Sequence, residues 1–282
     1  MIGVSPGNVA RTALIGWLFL AVPDAGAAGS PWTTLAAGLD LGRFPLGAAF
    51  SPGAAVHVVR IDPRLWELTL HGLSRGQSVG HTAREWARLE GLVATVNAGM
   101  YQQDYRTHSG YLSVDGVVLS RGTNAYLSAA AFAPVRPGDP VFRIFDLDDD
   151  PLPSVLARYR SVVQNLRMVK RPGENRWEPQ QRRWSEAALG EDREGRALFI
   201  FCGAPLPLDQ LIDALLALPL GLVAAQHLEG GSQAQLFVAA GGKTLELVGD
   251  YEGAFPAHDM SRTARPIPNV IGVRARSSAS GR

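Results

Sequence analysis

VHVVRIDPRLWELTLH, residues 56–71, holds two short runs separated by Asp62 and Pro63. In the second run Trp66, Leu68 and Leu70 alternate with Glu67, Thr69 and His71, the period of a strand with one buried face. Further along, Thr82 stands three residues before Glu85, the spacing of a capping box. Ala83, Trp86 and Leu89 then recur at helical spacing, and Gly91 supplies a stop. LVATVN (92–97) is a short apolar strand buried on both faces. Tyr111 to Ser120 carries Asp115-Gly116 between alternating runs, a hairpin signal because both turn positions need positive φ. Strands are expected at 129–133, 141–146, 161–169, 197–202 (ALFIFC) and 222–228 (LVAAQHL), and near 270–273. A helix is expected over 208–218, ended by Pro219 and Gly221, and a second hairpin turns at Gly241-Gly242. The stretch 170–183 is polar, rich in Arg and Trp and without period, and reads as a long surface loop of the kind that is often functional. Strands outnumber helices, and two helices lie between strands. The expected class is therefore α+β, a mixed, mostly antiparallel sheet with a few packed helices in a single domain.

Composition bounds the function. The chain of 282 residues is 46% hydrophobic and 19% charged, with Lys+Arg 27 against Asp+Glu 26. It can bury a large core, and its near-neutral balance argues against disorder and against a nucleic-acid binder acting by bulk charge. Arg11, the apolar run Ala13 to Val22 and the small residues that follow have the three regions of a secretory leader ending near Ala28, with an uncleaved anchor as the alternative. No later segment is long and apolar enough to span a bilayer. The organisation read from this is a leader over 1–28, a lead-in over 29–55, a domain over 56–274 and a Ser/Arg/Gly tail over 275–282. The protein is accordingly expected outside the cytoplasm, periplasmic or extracellular. The lone cysteine, Cys202, ends an apolar run and reads as a core residue. The acidic tract Asp146, Asp148, Asp149, Asp150 lacks the glycine and distal Glu of a calcium loop and reads as solvated.

Two strands end alike, in a polar residue followed by small ones that let a ligand approach the backbone. One is LVATVN with Ala98, Gly99, Met100 and Tyr101; the other is LVAAQHL with Glu229, Gly230, Gly231 and Ser232. His227 and Glu229 are two apart and so share a strand face, where His108 or Asp104 would be needed to complete a metal site. No strong ligand spacing accompanies them, and neither metal nor cofactor is expected. Walker and HExxH motifs are absent.

VNAGMY (96–101), Gly110-Tyr111, Asp115-Gly116, LEGGSQAQL (228–236) and PNVIGV (268–273), with RIDP (60–63) and 163–170 in the same order, resemble the phosphodiester glycosidase family. The resemblance covers about Val56 to Val273. It implies a hydrolase acting on a glycosyl phosphodiester or a related envelope or extracellular glycan, with a carbohydrate or glycosyl-phosphate partner. A phosphodiester is a weakly basic leaving group, so a single carboxylate suffices where two are usual. On this resemblance Glu229 or Asp104 is the carboxylate. Asn97, Gly99, His108, Arg60 and Arg167 bind sugar and phosphate, with Gly230, Gly231 and Ser232 offering further donors. Glu229 stands where the family usually has Asp, one methylene longer, which moves the carboxylate by roughly 1.5 Å. Gln164-Asn165-Leu166-Arg167 replaces the family's Gln-Ser-Gly-Pro run. A non-catalytic glycan-binding protein with the same pocket is the alternative.

Overall fold

The structure, a computed structural model, describes residues 1–3, 30–73, 79–122, 124–250 and 263–276. Apart from residues 1–3, the leader read over 1–28 lies outside the described residues, as does 277–282 of the tail. From Pro31 onward the chain forms one compact unit, in which no described helix is long and apolar enough to cross a membrane.

Three sheets build it. The largest has eight strands, drawn from β1 (Trp32–Ala36), β2 (Leu39–Pro45), β3 (Ala55–Ile61), β11 (Arg167–Lys170), β12 (Glu174–Asn175), β13 (Trp184–Asp192), β14 (Ala197–Leu206) and β15 (Leu222–Gly230), in the order β1-β2-β3-β14-β13-β15-β11-β12. A five-stranded sheet orders β6 (Tyr111–Val114), β7 (Val117–Arg121), β8 (Ser128–Pro134), β9 (Phe142–Asp146) and β10 (Tyr159–Asn165) as β7-β6-β10-β8-β9. The other five-stranded sheet orders β4 (Trp66–Gly72), β5 (Ala94–Asn97), β16 (Gln235–Ala240), β17 (Lys243–Val248) and β18 (Asn269–Ala275) as β17-β16-β5-β18-β4. Three short helices, α1 (Ala83–Glu90), α2 (Leu152–Leu156) and α3 (Leu208–Ala217), cover faces of these sheets.

Every strand pairing among the described residues is antiparallel, so the mostly antiparallel character expected from sequence is found, while the single mixed sheet is corrected to three antiparallel sheets with little helix. The place where a parallel pair would arise shows why. Helix α1 carries the chain from β4 to β5, which run the same way, but β18 inserts between them and pairs antiparallel with both. Residues 29–55, read as a lead-in, supply the edge strand β1 and its neighbour β2.

The centre of the large sheet, around β13, β14 and β15, is buried on both faces. In β14, Ala197, Phe199 and Phe201 enter the core shared with the two smaller sheets, while Leu198, Ile200 and Cys202 face α3. Cys202 is wholly buried, and burial pushes its thiol up to about 12. Helix α1 forms as its spacing predicts: Thr82 and Glu85 make the reciprocal capping box and Gly91 ends the helix in the left-handed region. Its buried residues are Ala83, Trp86 and Ala87. Leu89, expected on that face, is 52% exposed, because the buried stripe runs toward Ala87 instead. The Asp115-Gly116 turn has φ of 49° and 85°, as a type I′ hairpin requires. The strand expected over 161–169 is in fact two: β10 ends at Asn165 in one sheet and β11 starts at Arg167 in another, with the Leu166 carbonyl accepting from the His227 amide at 3.0 Å. The acidic tract is partly paired, Asp146 and Asp148 with Arg167 and Asp149 with Lys170.

Removing the α1 cap tests its share of the fold. Thr82→Ala is expected to lower stability by about 1 kcal/mol, a fall in melting temperature of roughly 2–4 °C for a domain of this size; an unchanged melting temperature would contradict that share.

Candidate active site

Strands β13 and β15 lie side by side in the doubly buried sheet. A charge there has little access to water and needs a partner. Three of the four carboxylates on these strands have one. Glu191 accepts from Arg143 Nη1 at 3.2 Å and the Ile144 amide at 2.8 Å, with Arg171 Nη2 at 2.7 Å. Asp192 takes Arg196 Nε at 2.6 Å and the amides of Glu194 and Arg196. Glu186, fully buried, accepts from His227 Nδ1 at 2.6 Å and from Trp184 Nε1 at 2.9 Å. The fourth, Glu229, accepts among the described residues only from the neighbouring Gly230 amide, at 3.1 Å.

The electrostatics follow from that count. Burial, with the Glu186 charge adding, pushes the Glu229 carboxyl up to about 7, against the opposing pull of His227 and the Gly230 amide. Burial also works against a charged His227, but the Glu186 carboxylate outweighs it and raises the imidazole above its ordinary range. Burial raises Glu186 in turn, with His227 and Trp184 opposing. Because Nδ1 is donated to Glu186, Nε2 is the ring atom of His227 left for a ligand.

The sheet is irregular at this point. The β13–β15 register shifts between Ala188↔His227 and Ala187↔Glu229, so Leu228 is an extra residue that turns into the core. Such a bulge re-aims the side chains beside it. The alternation that would put His227 and Glu229 on one strand face is interrupted here, yet both line one open cleft of ≈ 490 Å³ with Gly230, Trp184 and the segment Gln181 to Arg183. The Trp184 ring packs where a Cβ on residue 230 would stand, so glycine is needed there. The Trp177 ring centre is 5.9 Å from that of His227. The Tyr126 hydroxyl, bonded to Asn124 Nδ2 at 3.1 Å, is raised mainly by burial and in part by the Glu229 charge. This cleft joins the end of β15 to the last part of the 170–183 stretch.

The remaining expected residues are placed differently. Asn97 is a brace: its Oδ1 accepts from the Gln235 amide at 2.6 Å and its Nδ2 donates to the Gln233 carbonyl at 2.8 Å, fixing the one-turn 3-10 segment Gly231–Gln233 that follows Glu229. Gly231, at φ 66°, and half-buried Ser232 belong to that turn. At Gly99, φ 148°, a Cβ would overlap Asn165 Oδ1 and the His108 ring. Asn165 donates to the Ala98 carbonyl at 2.8 Å. His108 is buried and held neutral, its pKa lowered to about 4 by burial, and its Nε2 donates to the Gln164 carbonyl at 2.9 Å.

Asp104 is not in the Glu229 cleft. It lines a second cavity of ≈ 800 Å³ with His108 and Asn269, and its carboxylate closes its own loop by accepting from Thr107 Oγ1 at 2.6 Å and from the amides of Arg106 and Thr107. Those bonds hold it below its ordinary range. Arg60 and Arg167 are both held in ion pairs. Arg60 lies on β3, three strands from β15, paired with Asp40 at 2.9 Å and stacked over Trp32. Arg167 is bonded to Asp146 and Asp148 at 2.7 Å. No group of three or more potential metal ligands occurs among the described residues. Sequence reasoning missed Glu186 and Trp184 because β13, buried on both sides, shows no alternation. The Trp184-x-Glu186 spacing, which sets two side chains on one side of a strand, was the available signal.

Comparison with known proteins bears on this geometry. A family model described as phosphodiester glycosidase matches residues 90–274. The catalytic domain of zebrafish N-acetylglucosamine-1-phosphodiester alpha-N-acetylglucosaminidase, auto-inhibited by its pro-peptide, is similar in fold at a TM-score of 0.64 and 14% identity, over 88% of this chain and 87% of that one. A hypothetical protein from Synechocystis has a TM-score of 0.62 and 16% identity, over 89% of this chain and 65% of that one. A putative exported protein from Burkholderia pseudomallei has a TM-score of 0.50 and 11% identity, over 78% and 74%. A search of curated proteins finds no match. These identities establish the shared fold, not a shared substrate.

The under-partnered carboxylate has a thermodynamic signature. Glu229 has a folded pKa of about 7 against an ordinary 4.5, so its contribution is fully present below pH 4.5 and is lost as pH rises to about 7. Glu229→Gln is therefore expected to raise stability by up to about 3 kcal/mol at pH 8 and to change it little at pH 4. Urea denaturation at the two pH values checks this, and equal effects at both would refute it.

Proposed function

The chain belongs to the phosphodiester glycosidase family, and from that premise we propose that it is an exported hydrolase cleaving a glycosyl phosphodiester, or a related envelope or extracellular glycan, with Glu229 as the reacting carboxylate. One observation carries the assignment: of four carboxylates on β13 and β15, three are neutralised by a cation or imidazole and Glu229 alone is left, among the described residues, with a single backbone donor, at the wall of an open cleft. A site group held away from its ordinary pKa in a cleft is a functional candidate. The leader read over 1–28 supports work outside the cytoplasm.

The chemistry asks for one ionised carboxylate near C1 of the sugar. As a base, Glu229 takes a proton from water while the water oxygen bonds to C1. The electron pair of the breaking C1–O bond goes to the phosphate oxygen and leaves a phosphate monoester. As a nucleophile, the same carboxylate would bond to C1 first and be released by water. Either way the leaving oxygen needs little protonation, so no second acid is required. Buried, the carboxylate is poorly solvated and poised near neutral pH, where a base is most effective. Asn97 braces the turn after Glu229 and so positions the residues that follow it.

Hydrolysis of a panel of sugar-1-phosphodiesters, including N-acetylglucosamine joined to a methyl or nitrophenyl phosphate, tests the reading. The full chain is expected to turn over at least one, and Glu229→Gln to lose that turnover by about 10³-fold or more. Silence of the full chain across the panel would favour a glycan-binding protein. Because the ionised form acts, kcat/KM is expected to rise as pH passes through about 7 and to level off above. A rate falling across that range would assign the acid form instead.

A further inference from the structure

Resting on the glycosidase reading, the question left is which groups receive the phosphate. The two arginines expected from sequence are occupied by Asp40, Asp146 and Asp148. The Glu229 cleft, however, brings its own cations. His227 lines it, held from behind by Glu186 Oε1 at 2.6 Å, so the buried ring faces the cleft with one nitrogen committed and one available. Arg182, exposed on the segment that precedes β13, lines the same cleft and has no carboxylate partner among the described residues. That makes it unlike Arg60, Arg143, Arg158, Arg167, Arg171 and Arg196, all in ion pairs.

We propose that His227, oriented by Glu186, and Arg182 together form the subsite for the anionic phosphoryl aglycone, and that this pair makes the enzyme select a phosphodiester over a neutral glycoside. The electron balance explains why cations belong there. The diester enters with one negative charge, and when the C1–O pair passes to the phosphate oxygen the product is a monoester approaching two. Charge thus grows on the aglycone side as the bond breaks, and a fixed cation beside it stabilises the transition state more than the bound substrate. Arg offers a planar fork matched to phosphate oxygens. His227 supplies a second donor whose orientation is set by Glu186 and, through it, by the Trp184 indole. Glu186 is a positioning residue here, since it touches His227 and not the reacting atoms.

The experiment compares two substrates of one sugar, a phosphodiester and a neutral nitrophenyl glycoside, with the full chain, Arg182→Ala and Arg182→Lys. Arg182 is exposed, so its replacement leaves the fold intact. Arg182→Ala is expected to lower kcat/KM for the phosphodiester roughly 10- to 100-fold, with much of the loss in kcat. Arg182→Lys should recover part of it, and the neutral glycoside should change less than about twofold. Equal losses on both substrates, or none on either, would overturn the subsite while leaving the glycosidase reading in place. Calorimetric titration with inorganic phosphate separates the two failures. Binding by the full chain that weakens about tenfold or more in Arg182→Ala and in Glu186→Gln upholds the subsite even if no sugar is released. Phosphate binding that is absent, or indifferent to Arg182, overturns it.

Discussion

A sheet buried on both faces tolerates a charge only where something neutralises it, and this constraint organises the centre of the molecule. The apolar residues of β14 serve two cores at once, one toward the smaller sheets and one toward α3. Neither side of the central strands β13 and β15 is left over for solvated groups. The carboxylates carried by β13 therefore recruit partners from outside the strand: Arg143 and Arg171 for Glu191, Arg196 for Asp192, and His227 for Glu186, which also accepts from Trp184 of its own strand. Isolated ionised carboxylates in such surroundings take up a proton instead. Glu229 is in that position. Its raised pKa is what the sheet imposes on a carboxylate it does not pair.

A second set of buried polar groups holds the three sheets together near this point. Asn97 at the end of β5 fixes the turn after β15, Asn165 at the end of β10 holds the Ala98 carbonyl, and the Leu166 carbonyl takes the His227 amide. These bonds tie both smaller sheets to the strand that carries Glu229. Buried amides of this kind specify a unique arrangement when satisfied and weaken it when broken. The polar residues at the strand ends are thus divided in labour. Asn97 and Asn165 lock the frame, and Glu229 and His227 face the opening.

Much of this frame is legible along the chain. The strand periods of 56–71, the Thr82–Glu85 box, the Asp115-Gly116 turn and the two-faced run ALFIFC depend on neighbours a few residues away, and all appear where local chemistry puts them. The errors have physical causes too. Residues 161–169 are continuously strand-like, so nothing local marks Leu166 as the crossing between sheets. Arg60 and Arg167 have the right chemistry for phosphate, but whether an arginine is free depends on Asp40, Asp146 and Asp148, about 20 residues away in each case.

By itself, then, the sequence determined the kinds of elements, the turns, the buried cysteine and the strand-end motifs that mark the family. It also narrowed the candidate carboxylate to Glu229 or Asp104. Only the tertiary structure decided that β18 separates β4 from β5, that Asp104 staples its own loop, and that Glu186 stands behind His227 from 41 residues away. The reason is that periodicity and capping are local energies, whereas burial and charge compensation are sums over everything that surrounds a group. Those surroundings exist only once strands distant in sequence have been brought together.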